Sequence, residues 1–224
     1  SLFGQIVILL LIQIGGLGVV TVALCFVRLS GRKISLFQRS AMQDSISAPQ
    51  VGGIVRMTNR ILRGTFLVEG AGALLMLVPF CRRFGAKGIW YALFHAVSAF
   101  CNAGFDLLGT PDDPFPSLVA FRDDPLLVVT AALLILIGGI GFLTWEDVRT
   151  HRLRLRRYRL QSKLVLTVSA VLVVFPTLYY YFFEFTAGSA GQRLLDAFFQ
   201  AVTPRTAGFN TVDLAAMTGA SRAL

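Results

Sequence analysis

Charge and cysteine are scarce in this sequence, and each shortage removes a class of function. Only 15% of the 224 residues are charged while 55% are hydrophobic, and the mean hydropathy is +0.68. That is too little charge to solvate a soluble domain of this length, and the chain reads as an integral membrane protein. The three cysteines, Cys25, Cys81 and Cys101, lie in or beside apolar segments. They form no Cys-x-x-Cys pair and have no metal-ligand spacing, so they read as free thiols and exclude a disulfide framework or zinc site. Acids are few: 12 against 21 Lys and Arg, for a net charge of +9. In a soluble protein that balance would suggest nucleic acid; here the basic residues gather mainly in two loops, as membrane orientation requires, and no nucleic-acid partner is expected. No catalytic triad, metal cluster or phosphate loop is evident.

What is present is a stretch that occurs twice. Residues 199–210, Phe-Gln-Ala-Val-Thr-Pro-Arg-Thr-Ala-Gly-Phe-Asn, echo residues 94–106, Phe-His-Ala-Val-Ser-Ala-Phe-Cys-Asn-Ala-Gly-Phe-Asp, once a slip of one residue is allowed. Both copies end an aromatic-rich apolar segment in Ala-Gly-Phe and then Asp or Asn. A 14-residue helix rises roughly 21 Å against a hydrocarbon core of ~30 Å, so such a segment enters a bilayer and turns back inside it. The bare carbonyls of that turn are tolerated at membrane depth only when buried in protein or lining a water-filled path, where they can replace the hydration shell of a cation.

In chain order, an apolar span at about 3–26 carries Gln13 and Gly15-Gly16-Leu17-Gly18. It follows the first residues without a basic segment or cleavage site, and a membrane span rather than a signal peptide is expected. Residues 27–63 hold seven basic residues (Arg28, Arg32, Lys33, Arg39, Arg56, Arg60, Arg63) against Asp44, which marks a cytoplasmic side. A second span at about 61–80 contains Gly64, Gly70, Gly72 and Glu69. The first short segment at 88–101 and a polar, proline-containing stretch at 102–123, expected outside, come next. A third span at about 125–144 ends in Ile-Gly-Gly-Ile-Gly, repeating Ile-Gly-Gly-Leu-Gly of the first. Seven more basic residues between 149 and 163 return the chain to the cytoplasmic side. A fourth span at about 164–183 and the second short segment at 191–204 follow.

The expected architecture is all-α and polytopic, built of repeated helix–re-entrant pore loop–helix units around a central pore. Residues 1–30 would be the last helix of a first unit and 31–59 a cytoplasmic loop. A complete second unit would fill 60–148, a basic cytoplasmic loop 149–163, and the front of a third unit 164–224. A missing initiator Met and the abrupt end after a Gly- and Ser-containing loop lead us to expect part of a longer protein.

Phe-Cys-Asn-Ala-Gly-Phe-Asp at 100–106 and Thr-Pro-Arg-Thr-Ala-Gly-Phe-Asn-Thr at 203–211 resemble the second and third selectivity-filter loops of the Trk/Ktr/HKT superfamily of potassium transporters. The bacterial Ktr-type membrane subunit is most similar. Ile-Gln-Ile-Gly-Gly-Leu-Gly at 12–18, Gly-Arg-Lys-Ile-Ser-Leu at 31–36 and Ser-Lys-Leu-Val-Leu at 162–166 extend the likeness over nearly the whole chain. The resemblance implies four pore units, potassium uptake with Na⁺ open as a coupling ion, a homodimeric subunit in a bacterial inner membrane, and a cytoplasmic nucleotide-binding ring that gates it. It places ion-binding filter positions at Asn102, Ala103, Gly104 and Phe105 and at Thr206, Ala207, Gly208 and Phe209. The first filter, the gating loop and the fourth unit are not in these residues.

Other residues carry two readings. Asp106 and Asn210 either attract cations at a pore mouth or cap their loops. Arg205, directly before the second turn, is read as structural, paired or facing away from the pore. Glu69 within a span suggests function, with pairing to an Arg or backbone amide near the cytoplasmic surface as the preferred alternative. His95 reads as a packed polar residue, Glu184 as an interface marker, the Gly-Gly-x-Gly clusters as sites of close helix packing, and the Arg-rich run at 149–159 as an orientation signal that could also dock a regulator. Rival functions are a sodium-translocating relative, a proton-driven carrier or membrane hydrolase in which Glu69, His95 and Glu184 converge, and a non-conducting structural subunit. The pore reading requires instead that the two glycine turns converge.

Overall fold

A computed structural model of the chain describes residues 1–18, 54–152 and 154–223. The remainder of the first span with Cys25, and the basic segment containing Arg28, Arg32, Lys33 and Arg39, lie outside the described residues. Among the described residues the regular structure is helical throughout.

Helix α1 runs Leu2–Leu17, and the Ser1 hydroxyl accepts from the Gly4 N–H at its start. It ends where Gly18 takes φ 80°. Helix α2, Ile54–Phe84, is longer than the apolar stretch expected at 61–80. Its membrane-capable part is Asn59–Phe84. Helix α3, Lys87–Phe100, is the first short segment. A loop with a 3₁₀ turn at Val119–Phe121 leads to α4, Pro125–Gly139. Asp124 caps α4 by accepting from the Leu127 N–H at 3.1 Å, and Pro125 occupies the first helical position, where a missing N–H costs nothing.

The third span is not one straight helix, as expected for 125–144. Helix α4 stops at Gly139, α5 covers Phe142–His151, and the two are bent by 96°. Gly141 adopts φ 80°, a left-handed conformation in which a Cβ is penalised, and this ends the helical run. The Trp145 indole donates to the Ile137 carbonyl at 2.8 Å, satisfying an acceptor that the break leaves without its i+4 partner. Gly18 and Gly141, the last glycines of the two Gly-Gly-x-Gly clusters, thus end their helices with the same φ.

Helix α6, Leu160–Tyr179, contains Pro176 and runs on into a π turn at Tyr180–Glu184. Helix α7, Ala190–Val202, is capped by Ser189, which accepts from the Gln192 N–H at 3.2 Å. A last turn, α8, spans Gly219–Ala223. Among the described residues two stretches are long and apolar enough to cross a membrane, Asn59–Phe84 and Leu160–Glu184, and the bent α4–α5 pair is a third if counted as one span. Helices α3 and α7, of 14 and 13 residues, rise roughly 21 and 20 Å and fall short of ~30 Å.

Small residues let these helices approach closely. Helix α3 buries Ala92, Ala96 and Ala99 on one face against Met76 and Phe80 of α2 and Ala131 and Ala132 of α4. A Cβ on Gly88 would lie 2.5 Å from the Cys81 nitrogen, and one on Gly138 would overlap the Phe100 carbonyl oxygen. Phe199 and Val202 of α7, with Ala207 and Phe209 just beyond it, complete the same core. At the Arg-rich end, Asp147 of α5 is buried and accepts from Ser162 Oγ at 2.6 Å and the Arg159 N–H at 2.9 Å, tying the basic loop to the start of α6. Arg60 of α2 pairs with Glu146 of α5.

Candidate functional site

Each short helix ends in a turn of the same backbone form. In the first, Asn102 and Gly104 take φ 52° and 71°; in the second, Thr206 and Gly208 take 72° and 79°. After α3 the Asn102 N–H donates to the Ala99 carbonyl (3.1 Å) and the Ala103 N–H to the Ser98 carbonyl (2.8 Å). This is the Schellman pattern, with asparagine at the left-handed position. With its amide turned to donate, Asn102 also reaches the carbonyls of Ala99 and Ile135, at 3.3 Å each. After α7 the Ala207 and Gly208 N–H groups converge on the Thr203 carbonyl at 3.1 and 3.4 Å.

Ser98 and Thr203 stand at the same place in the two copies and act twice each. The Ser98 carbonyl accepts the Ala103 amide, and the Thr203 carbonyl accepts those of Ala207 and Gly208. Their hydroxyls donate to the carbonyl of the phenylalanine that follows each glycine: Ser98 Oγ to Phe105 O at 2.8 Å, and Thr203 Oγ1 to Phe209 O. Sequence reading passed over both residues, although the echo itself aligned them.

The turns also meet. A Cβ built on Gly104 would overlap the Ala207 carbonyl oxygen and lie 3.2 Å from the Gly208 Cα; one on Gly208 would lie 3.7 Å from the Gly104 Cα. Among the described residues no N–H or O–H donor reaches the carbonyls of Asn102, Ala103, Gly104, Thr206, Ala207 or Gly208, whereas those of Phe105, Phe209 and Asn210 are engaged. Ala207 is buried, Asn102, Ala103 and Gly104 are half-buried, and Thr206 and Gly208 are exposed. The six carbonyls flank one contact.

The surroundings brace this contact unequally. Asn210 is held on both sides, its N–H donating to Ser117 Oγ at 2.8 Å and its carbonyl accepting from the Leu118 N–H at 2.9 Å. The Phe209 ring is fully buried beside His95, ring centroids 6.2 Å apart, while Phe105 is 54% exposed. Asp106 accepts from the Leu108 N–H at 2.9 Å and so closes its own loop. Burial chiefly, with the nearby Asp113 charge, raises its pKa above the ordinary 3.8 against that hydrogen bond. Arg205 donates to Ser169 Oγ of α6 at 2.6 Å. Behind the turns, Arg122 forks onto the buried Asp196 of α7 through Nε (3.0 Å) and Nη2 (2.6 Å), and Gln192 joins both.

Glu69, His95 and Glu184 are not brought together. Glu69 accepts from Gln13 Nε2 at 3.0 Å and has Cys101 Sγ at 3.9 Å, so its partner is an amide of the first span rather than an arginine or a backbone amide. His95 turns Nδ1 to the Tyr91 carbonyl at 2.7 Å and packs on Phe80. Glu184 accepts from Thr218 and Ser221 beyond α7. The Gly-Gly-x-Gly clusters do serve packing: a Cβ on Gly16 would collide with the Cys101 side chain, and Gly138 and Gly139 abut Phe100 and Asn102 at the end of α3.

A family model described as a cation transport protein, TrkH, matches residues 1–222. The chain belongs to the TrkH family. Among curated relatives it is 36% identical over 223 residues to the potassium/sodium uptake protein NtpJ of Enterococcus hirae, covering 97% of this chain and 48% of that one. It is 37% identical over 224 residues to the Ktr system potassium uptake protein B of Bacillus subtilis, covering 97% and 49%. The protein of the same name from Vibrio alginolyticus is 33% identical over 226 residues. The chain thus spans about half the length of the curated relatives it matches.

Proposed function

We propose that this TrkH-family chain supplies two of the selectivity loops of a potassium-uptake transporter, and that the cation passes alongside the joined turns at 102–104 and 206–208. The observation that carries this is the contact of Gly104 with Ala207 and Gly208, flanked by six carbonyls without donors among the described residues. Carbonyls held at fixed spacing replace water around a dehydrating cation, and the C-terminal ends of α3 and α7 aim partial negative charge at the same place. Asn102, Ala103, Gly104, Thr206, Ala207 and Gly208 are assigned to the ion; Phe105 and Phe209, whose carbonyls accept hydroxyls, are assigned to the frame.

In this reading α2 to α5 form one complete helix–pore loop–helix unit at about 60–148, α1 closes a preceding unit and α6 with α7 opens a third. Further units would complete the coordination shell in the bacterial plasma membrane, with the Arg-rich loops on the cytoplasmic side. A homodimer and a cytoplasmic nucleotide-binding ring remain the partners implied by the resemblance. Sodium is the second ion considered, because the Enterococcus hirae relative is named a potassium/sodium uptake protein. The test is growth on limiting potassium of a bacterium deleted for its own uptake systems. Rescue by the full-length protein supports the assignment; rescue that needs Na⁺ adds sodium as a coupled ion; absence of rescue with protein present in the membrane contradicts it.

A further inference from the structure

Ser98 and Thr203 make the same hydrogen bond from loops of different length. The hydroxyl and its acceptor are seven residues apart in the first turn and six in the second, yet both bonds end on the carbonyl of the phenylalanine after the glycine. A bond kept while the number of intervening residues changes is held by the required geometry, not by local sequence. Both donors are buried, Ser98 at 0% and Thr203 at 5% exposure; of the acceptors, Phe209 is buried while Phe105 is exposed.

We propose that Ser98 and Thr203 are positioning residues that set the ion preference of the two turns. This rests on the reading of those turns as an ion filter. Each residue ties its turn at two points: the backbone carbonyl accepts from Ala103 in the first turn and from Ala207 and Gly208 in the second, and the hydroxyl donates to the phenylalanine carbonyl at the exit. The three carbonyls in between are thereby fixed in spacing, and the fourth is withdrawn from the ion. Without the hydroxyl, the phenylalanine carbonyl loses its protein donor, and the turn shifts to give it another partner: a protein group for the buried Phe209, water for the exposed Phe105. A turn free to contract fits the smaller, more strongly hydrated Na⁺ better than a fixed one, so discrimination falls while passage persists. The two turns are not equally dependent. Asn210 is braced by Ser117 and Leu118 and Phe209 is buried, whereas Phe105 is exposed and leaves the first exit to Ser98.

The experiment measures inhibition of rubidium uptake by Na⁺ for the full-length protein and for Ser98→Ala, Ser98→Thr, Thr203→Val, Thr203→Ser and Gly208→Ser, at matched membrane abundance. Ser98→Ala is expected to lower the Rb⁺ over Na⁺ preference roughly five- to tenfold, the scale of one buried hydrogen bond, and Thr203→Val to lower it less. Ser98→Thr and Thr203→Ser, which keep the hydroxyl, hold the preference within about twofold of the parent. Should a hydroxyl-free variant fail to reach the membrane, the order of preference between Ser98→Thr, Thr203→Ser and the remaining hydroxyl-free variant still decides. Unchanged preference in both hydroxyl-free variants with altered preference in Gly208→Ser overturns the proposal and leaves the filter standing. Equal loss in variants with and without the hydroxyl also overturns it. Unchanged preference in Gly208→Ser as well overturns the filter reading itself.

Discussion

Gly104 stands directly against Ala207: a Cβ at position 104 would overlap the Ala207 carbonyl oxygen, while a Cβ at Gly208 would meet nothing closer than the Gly104 Cα at 3.7 Å. Both glycines have left-handed φ, so alanine at either costs about 1–2 kcal/mol in backbone strain. Gly104→Ala must in addition push two backbones apart. It is expected to lose most uptake and thermal stability, whereas Gly208→Ala reaches the membrane and is altered chiefly in ion preference. Uptake assays paired with thermal unfolding of the purified protein check the order.

The Arg122–Asp196 pair is lopsided, with side-chain exposures of 41% and 2%. The hydrogen bond to Asp196 chiefly raises the Arg122 pKa, against its own burial. Removing Arg122 leaves a buried carboxylate without its cation, while removing Asp196 lets an arginine turn to solvent. Arg122→Ala is therefore expected to cost about 2–4 kcal/mol and Asp196→Ala about 1–2 kcal/mol. Unfolding midpoints of the two variants in one detergent give the comparison.

Asp106 carries a pH signature. Its pKa is raised in the folded protein, so between the ordinary 3.8 and the raised value the native state holds more protons than the unfolded one. The stability contributed by this group is present below that window and lost as pH rises through it. Ionised Asp106 beside the first turn attracts cations, so acidifying the outer medium through the window should raise the KM for rubidium, and Asp106→Asn should flatten that dependence. Initial uptake rates across external pH measure both.

Trp145 supplies the donor for the Ile137 carbonyl at the α4–α5 bend. Trp145→Phe keeps the ring but leaves that carbonyl without a donor, and is expected to destabilise the protein by about 1–3 kcal/mol. Hydrogen exchange at the start of α5 should rise with it.

The short helices were legible because they are apolar runs with sharp ends: 88–101 against the observed Lys87–Phe100, and 191–204 against Ala190–Val202. The repeated sequence made the likeness of the two glycine turns legible, while their contact joins residues about a hundred positions apart. The bend after Gly139 was not legible, since hydropathy is continuous across Gly138-Gly139-Ile140-Gly141 and only the φ of Gly141 breaks the helix. Gln13 as the partner of Glu69 depends on how α1, packed on α3, is placed beside α2, which no local pattern records. Ser98 and Thr203 lay aligned in view, but a hydroxyl bond to a residue six or seven positions on exists only once the turn has closed. Asp196 likewise gains its role from an element distant in sequence, and Asp147 from the start of the next helix.

The most direct test of the pore assignment is to locate the ion itself, by diffraction from the full-length protein crystallised in thallium or rubidium with data collected at the anomalous edge. Anomalous density beside the carbonyls of 102–104 and 206–208 is the expected result. Density confined to the Glu69 and Gln13 side chains, with the turns unoccupied, would contradict it.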